Sequence, residues 1–228
     1  MPMPKRLALF DLDHTLLPLD SDYSWGVFTT QLGWTDAGDF ARRNDAFFAQ
    51  YQQGQLDVHE YVRFATEAFR LRGPDAAVQA HRQFMETVIL PQVQPAARAL
   101  IEGHRQAGDD ILIITATNEF VTRPIAAELG VDELIAVELE RDAHGWFTGE
   151  IAGIPSFREG KVARFEAWLA QRGLGWADVH TTFYSDSTND LPLLERVNVP
   201  VATNPGDRLR QHALERGWRI LDLFAEHP

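Results

Sequence analysis

Carboxylates stand in close pairs at two places in the chain. Asp11-Leu12-Asp13-His14-Thr15 follows the apolar run Leu7-Ala8-Leu9-Phe10, and Ser185-Asp186-Ser187-Thr188-Asn189-Asp190 follows Thr181-Thr182-Phe183-Tyr184. Between them, Thr115-Ala116-Thr117-Asn118 follows Ile111-Leu112-Ile113-Ile114, and Lys161 stands behind Glu159-Gly160. Asp11, Asp13, Asp186 and Asp190, brought into one cleft, would repel one another strongly at low dielectric. A divalent cation relieves that repulsion. Mg²⁺ prefers oxygen ligands, keeps several waters, and takes one or two carboxylates together with a substrate phosphate. With Lys161 and a set of hydroxyl and amide donors, these residues form an inventory for holding a phosphoryl group. The chemistry they suggest is phosphoryl transfer with Mg²⁺ as cofactor.

The elements that must position these residues follow from the apolar pattern. Short apolar runs ending in polar residues read as buried strands, and between them lie segments of helical periodicity. Helices are expected over Ala96–Ala107, Asn118–Leu129 and Gly160–Arg172, with short strands at Val199–Ala202 and Trp218–Leu221. Ile135–Leu139 and Trp146–Ile151 are expected to pair as a hairpin across Asp142–Gly145. Buried strands alternating with helices argue for an α/β fold, a Rossmann-like parallel sheet with helices on both faces, whose ligands bind beyond the carboxyl ends of the strands. From about Ser21 to Leu90 the pattern is helical, with breaks near Gly33–Gly38, at Gly54 and at Gly73-Pro74 and amphipathic stretches at Leu56–Leu71 and Asp75–Leu90, and the segment is too long for a simple crossover. It reads as an inserted helical cap over 18–91, set on a core domain of 1–17 and 92–228. The joints near Leu17–Asp20 and Leu90–Pro95 are the expected hinges.

Composition removes other classes. The chain has 228 residues, 45% of them hydrophobic and 24% charged, as in ordinary globular proteins. Its 33 acidic and 21 basic residues give a formal net charge of −12, with no Lys/Arg cluster, so nucleic acid is not an expected partner. No apolar run is long enough to span a bilayer, so stable membrane insertion is not expected either. The N-terminal segment lacks the apolar stretch of a signal peptide, which points to the cytoplasm. With no cysteine, thiolate metal sites and thiol nucleophiles are excluded. A nucleotide-binding P-loop ending at Gly160-Lys161 would need Gly at 155 and Ser or Thr at 162, where the chain has Pro155 and Val162.

In their order and spacing these motifs resemble the haloacid dehalogenase (HAD) superfamily of hydrolases. Asp11-Leu12-Asp13-His14-Thr15 matches its first motif, Thr115 its second, Lys161 its third, and Asp186 with Asp190 its fourth. Helical sequence between the first and second motifs resembles a type 1 cap, and Asp20-Ser21-Asp22-Tyr23-Ser24-Trp25 resembles the phosphoserine phosphatase-like branch, subfamily IB. The resemblance implies an Mg²⁺-dependent phosphomonoesterase acting on a small phosphorylated metabolite. It implies Asp11 as nucleophile, forming an aspartyl-phosphate, and Asp13 as general acid and base. Asp11, Asp186 and the backbone carbonyl of Asp13 would hold the metal, with Asp190 ligating it or orienting its waters. Thr115, Lys161 and the backbone amide near Ala116 would hold the phosphoryl oxygens.

The chain also departs from that branch. Ser185 stands where the fourth motif has Gly, and Thr115-Ala116-Thr117 where phosphoserine phosphatases have Ser-Gly-Gly. Only Arg63 and Arg70 offer themselves for a substrate carboxylate. Asp20 stands about where that branch has an amine-binding Glu, and Asn118 and Asn189 are further candidates for substrate contact. An amine-bearing phosphate such as histidinol phosphate or phosphoserine fits this pattern. A phosphotransferase or mutase stays open, as does a lipid-phosphate phosphatase, given Phe28, Phe40, Phe47, Phe48, Phe64 and Phe69. The non-enzymatic alternative is a phospho-accepting receiver-like or binding module.

Overall fold

A computed structural model of the chain describes residues 4–224, the side chain of Gln52 excepted. The calls on the extreme ends of the core span, 1–3 and 225–228, lie outside the described residues. The elements run β1 (Lys5–Phe10), α1 (Ser21–Gln31), α2 (Ala37–Gln53), α3 (Val58–Arg72), α4 (Pro74–Phe84), α5 (Pro95–Gln106), β2 (Asp110–Asn118), α6 (Glu119–Glu128), β3 (Glu133–Val137), β4 (Leu139–Arg141) and β5 (Phe147–Ile151). There follow α7 (Glu159–Gln171), β6 (Val179–Ser185), α8 (Leu191–Leu194), β7 (Val199–Thr203), α9 (Asp207–Arg216) and β8 (Arg219–Leu221).

Six strands form a parallel sheet in the order β3-β2-β1-β6-β7-β8. β1 lies between β2 and β6, the point from which the chain first builds one half of the sheet and then the other. The crevice of an open α/β sheet forms at such a point. Strand side chains alternate between faces, and the core divides accordingly. Ala8, Phe10, Ile113 and Val201 point into one apolar cluster with α5 and α6. Leu7, Leu9, Leu112 and Phe183 point into a second, with α7, α8 and α9. This is the Rossmann-like α/β architecture that the strand–helix alternation implies.

Two expectations need correction. The hairpin is built by β4 and β5, pairing Leu139 with Ile151 and Arg141 with Phe147, while Ile135–Val137 joins the parallel sheet as β3 beside β2. Ile135, Ala136 and Val137 are all buried, and a run buried on successive residues suits a covered parallel strand better than a hairpin with one wet face. The expected helix over Asp75–Leu90 is α4 followed by a π turn, Met85–Ile89, and a 3₁₀ turn ending at Gln92. Pro91 cannot continue a regular helix.

The helices α1 to α4 lie between β1 and α5. Aspartates at Asp20, Asp36 and Asp57 start α1, α2 and α3, each side chain accepting a backbone N–H from the first turn. Gly73-Pro74 starts α4. Three of these helices are welded to the sheet-covering layer. Phe69 of α3 stacks on Phe120 of α6 with centroids 4.2 Å apart, and Trp25 of α1 meets the same ring at 5.7 Å. His81 of α4 lies 3.1 Å from the Val121 carbonyl. Arg70 of α3 donates to the Thr148 carbonyl, and Trp146 donates to the Arg70 carbonyl, which ties α3 to the β4–β5 hairpin.

Because that seam belongs to one continuous apolar cluster, the helical insertion and the sheet should unfold together. Phe69→Ala is expected to cost about 3–5 kcal/mol. Chemical denaturation followed by circular dichroism and by tryptophan fluorescence should give coincident midpoints, both shifted down. Two separated transitions, with the sheet unaffected, would contradict a shared core.

Candidate active site

Asp11 sits one residue beyond β1, where its backbone N–H donates to the Tyr184 carbonyl and extends the ladder with β6. The next residues coil tightly. The amides of Thr15, Leu16 and Leu17 all point at the Leu12 carbonyl, and His14 takes a left-handed φ of 57°. This turn returns Asp13 to the cleft. One Asp13 oxygen accepts the Ser21 N–H at 2.8 Å, the other the Thr117 hydroxyl at 2.8 Å. Asp13 is thus held between the first residue of α1 and the end of β2.

Lys161, in the first turn of α7, is 2% exposed and donates to Asp11 Oδ1 at 2.9 Å and Asp190 Oδ2 at 2.7 Å. Ser185 donates to the same Asp190 oxygen at 2.7 Å. Asp186 Oδ1 accepts the Thr15 hydroxyl at 3.1 Å. Thr115 is buried three residues before the end of β2, its hydroxyl taking the Thr117 N–H and its carbonyl taking the Ser156 hydroxyl. Residues ending β1, β2 and β6 and starting α7 therefore meet at one place. They line a cavity of about 1360 Å³ that residues of α2 and the turn after it also line.

The charge balance explains the titration of these groups. Burial pushes Asp11 up to about 7, against the pull of the Lys161 charge and with the push of Asp190. Burial, and then the charge of Asp20, takes Asp13 up to about 6. Burial, Asp11 and Asp190 hold Asp186 well above the carboxylate range. Burial alone would lower Lys161, but the charges of Asp11 and Asp190 keep its ammonium above the usual range. One lysine does not neutralise Asp11, Asp186 and Asp190 together, which is the situation a hard cation relieves. Among the described residues, no three acidic or imidazole side chains form a cage by themselves. Mg²⁺ does not need one, since it takes one or two carboxylates and completes its shell with waters and carbonyl oxygens. Lys161 takes Oδ1 of Asp11 and Thr15 takes Oδ1 of Asp186, so each keeps a second oxygen for such an ion.

The remaining candidates divide. Asp20, Asn189 and Ala116 line the cavity, though Asp20 also caps α1 and Asn189 Oδ1 accepts from Arg158 Nε at 3.0 Å. Asn118 does not reach it and is corrected here. It is buried, caps α6 through the Val121 N–H, and donates to Asp22, so its polar atoms are spent within the protein. Arg63 pairs with Glu150 at the surface and Arg70 is bound to the Thr148 carbonyl, and neither lines the cavity. Of the six phenylalanines, only Phe47 and Phe48 face it.

Sequence reasoning assigned no role to Arg158, Tyr51 or Asp22. Arg158 lies in an irregular loop with φ 53° and ψ −123°, and Tyr51 sits near the C-terminal end of α2. Asp22 is the third residue of the segment Asp20–Trp25 that suggested the subfamily.

A model of the family described as haloacid dehalogenase-like hydrolase matches residues 8–195. The chain belongs to that family. Among its relatives, a histidinol-phosphatase of Neisseria meningitidis serogroup C is 40% identical over 220 residues, covering 96% of this chain and 99% of that one. The phosphoserine phosphatase SerB1 of Mycobacterium tuberculosis is 30% identical, over 95% of this chain and 70% of that one. A solved protein of unknown function from Bordetella pertussis Tohama I matches with a TM-score of 0.91 and 46% identity, over 97% and 100% of the two chains. A substrate-bound phosphoserine phosphatase matches in fold, with a TM-score of 0.68 at 16% identity, over 96% and 93%. This HAD hydrolase is an enzyme of the phosphoserine phosphatase-like type. No helix among its described residues is long and apolar enough to cross a membrane.

Asp22 supplies a test of this electrostatic picture away from the floor of the site. Burial, and then the Asp20 charge, push it up to about 7. The folded form therefore holds a proton that the unfolded chain releases near pH 4. Stability from this group is full at low pH and falls as pH rises toward 7, by on the order of 1.4 kcal/mol per pKa unit. Asp22→Asn should raise the melting temperature relative to the wild type at pH 8 more than at pH 5. An equal shift at both would contradict the assignment.

Proposed function

We propose that this chain is an Mg²⁺-dependent phosphomonoesterase that hydrolyses a small phosphorylated metabolite through an aspartyl-phosphate on Asp11. In this reading residues 18–91 form the cap and 1–17 with 92–228 the core. The observation that carries the proposal is the buried Lys161 ammonium, bonded to both Asp11 and Asp190 in a cavity that Asp13 also lines. Asp11, Asp186 and the Asp13 carbonyl would hold Mg²⁺. Bound there, the ion would supply positive charge that lets a carboxylate approach a phosphate dianion.

The protein's own residues do the rest. An Asp11 oxygen attacks phosphorus as the bond to the leaving oxygen breaks. Lys161, the Thr115 hydroxyl and the Ala116 amide accommodate the phosphoryl oxygens. Asp13, raised to about 6, carries a proton in part of the population near neutrality and gives it to the leaving oxygen. The resulting carboxylate then takes a proton from the water that attacks the phosphorus of the acyl phosphate, which frees Asp11 and phosphate. Ser21 N–H and the Thr117 hydroxyl keep Asp13 aimed for both steps. Asp190 holds Lys161 in place and offers its second oxygen toward the ion or its waters.

An amine-bearing phosphate without a carboxylate, such as histidinol phosphate, is the substrate we favour. Its support is threefold. The Neisseria relative is named a histidinol-phosphatase. Asp20 lines the cavity, while Arg63 and Arg70 are bound elsewhere. Arg158 is already occupied by Asn189 and by the Gly54 carbonyl.

Phosphate release should be measured across histidinol phosphate, phosphoserine, a sugar phosphate, a nucleotide and a lipid phosphate. Turnover is expected with Mg²⁺ and not with EDTA, and highest for histidinol phosphate. Asp13→Asn should lose about 10²–10⁴-fold in rate, and Asp11→Asn should be inactive. Full activity of Asp11→Asn would remove the nucleophile. Transfer of the phosphoryl group to an alcohol in place of water would move the reading to a phosphotransferase.

A further inference from the structure

Among the described residues, three other than glycine hold a left-handed backbone: His14 at φ 57°, Arg158 at φ 53° and Asn204 at φ 47°. Such strain persists only where the surroundings over-determine it, and it gathers at working sites. His14 and Asn204 lie 190 residues apart in the chain and are bonded to one another. Asn204 directly follows β7, at the carboxyl edge of the sheet. Its Nδ2 donates to the His14 carbonyl at 2.9 Å and to the Thr15 carbonyl at 3.3 Å. Its Oδ1 accepts the backbone N–H of Leu223 at 2.7 Å and that of Phe224 at 3.2 Å. Its own N–H donates to the Leu221 carbonyl.

One side chain thus joins the turn that carries Asp11 and Asp13 to the segment after β8. That segment is itself fixed. Leu221, Leu223 and Phe224 pack against the apolar cluster that holds Phe10 and Val201, and Arg210 of α9 pairs with Asp222. The turn in its turn reaches the second acidic motif. The Thr15 hydroxyl donates to Asp186 Oδ1 and accepts the Asp186 N–H, each at 3.1 Å. The residue type suits the place. Asparagine tolerates the left-handed region better than most side chains, and its amide offers donors and an acceptor at once. Asn204 does not line the cavity, so any effect on the chemistry passes through the turn.

We infer that Asn204 is a positioning residue for the Asp11–Thr15 turn, clamping the carbonyls of His14 and Thr15 to the fixed segment after β8. Asp13 stands next to His14, so a turn released at the His14 carbonyl carries the general acid with it. Through Thr15 the same clamp registers the turn against Asp186. The inference rests on the phosphatase reading for its kinetic half.

Two variants separate the two sides of the clamp. Asn204→Asp keeps the size and the acceptor toward Leu223 and Phe224, and sets an oxygen against the His14 and Thr15 carbonyls in place of the donor. Asn204→Gly accepts the left-handed backbone and removes both sides. Steady-state kinetics on histidinol phosphate and amide hydrogen exchange on the full chain without ligand are measured for each. Both variants should lose about 10²-fold in kcat, the effect of displacing a reacting group by about 1 Å, with KM changed by less than about twofold. Exchange of the amides of residues 14–17 should speed about tenfold in both, the equivalent of one lost hydrogen bond. The amides of Leu223 and Phe224 should speed in Asn204→Gly alone, and those of α3 in neither. Wild-type kcat in Asn204→Asp would show that the donor is not needed and overturn the inference. A raised KM with unchanged kcat would place the effect on substrate binding and overturn it too. Exchange that speeds evenly across the sheet would make Asn204 a general stabiliser, with the same consequence. If Asn204→Gly does not fold, Asn204→Asp against the wild type decides. If the wild type turns over no phosphate ester, the phosphatase reading fails, and exchange at 14–17 against 223–224 still decides the clamp.

Discussion

Lys161 is nearly inaccessible, remains charged, and is bonded to two carboxylates that are themselves buried. Desolvating these groups is costly, and the cost is met only if geometry holds them together and every partner is present. Much of the local structure serves that requirement. β1 and β6 bring Asp11 and Asp186 to adjacent strand ends, the first turn of α7 delivers the lysine, and Ser185 fills a further bond to Asp190. What the lysine leaves uncompensated, the mutual repulsion that raises Asp11 and Asp186 and that a cation would relieve, is what suits the floor to a cation and a phosphoryl group. The polar cluster that is hardest to bury is thus also the one that would carry the chemistry.

The cover over this floor is built in two ways. α1, α3 and α4 extend the apolar core through a run of stacked and edge-on aromatic rings. α2 packs on α3 instead, through Phe40 and Phe47 against Phe64 and through the Arg43–Glu67 ion pair, and meets the core at Tyr51 and at the Gly54 carbonyl.

Much of the floor was legible in the sequence because it follows from one pattern repeated. A short apolar run becomes a buried strand, and the polar residue that ends it lands at the carboxyl edge of the sheet. That logic places Asp11, Thr115 and Asp186 directly, and Lys161 from its position at a helix start. The same logic misreads Asn118, because β2 continues past Thr115 and its last residue turns inward to cap α6 and meet Asp22. It also misassigns Ile135–Val137, where an apolar run fits either a hairpin or a covered parallel strand and only its neighbours decide. Arg158 left no trace in any periodicity. Its place in the site comes from an unusual backbone angle and from a partner 104 residues away, both of which are products of the folded chain.

The central claim is that Asp11 becomes covalently phosphorylated. The direct test is to mix Asp13→Asn with histidinol phosphate and Mg²⁺, quench in acid, digest, and locate any phosphoryl adduct by mass spectrometry. With the residue that activates water removed, the adduct should accumulate on the peptide bearing Asp11 and be released by hydroxylamine, as an acyl phosphate is. An adduct on a histidine or serine, or no adduct in a variant that still releases phosphate, would contradict the account.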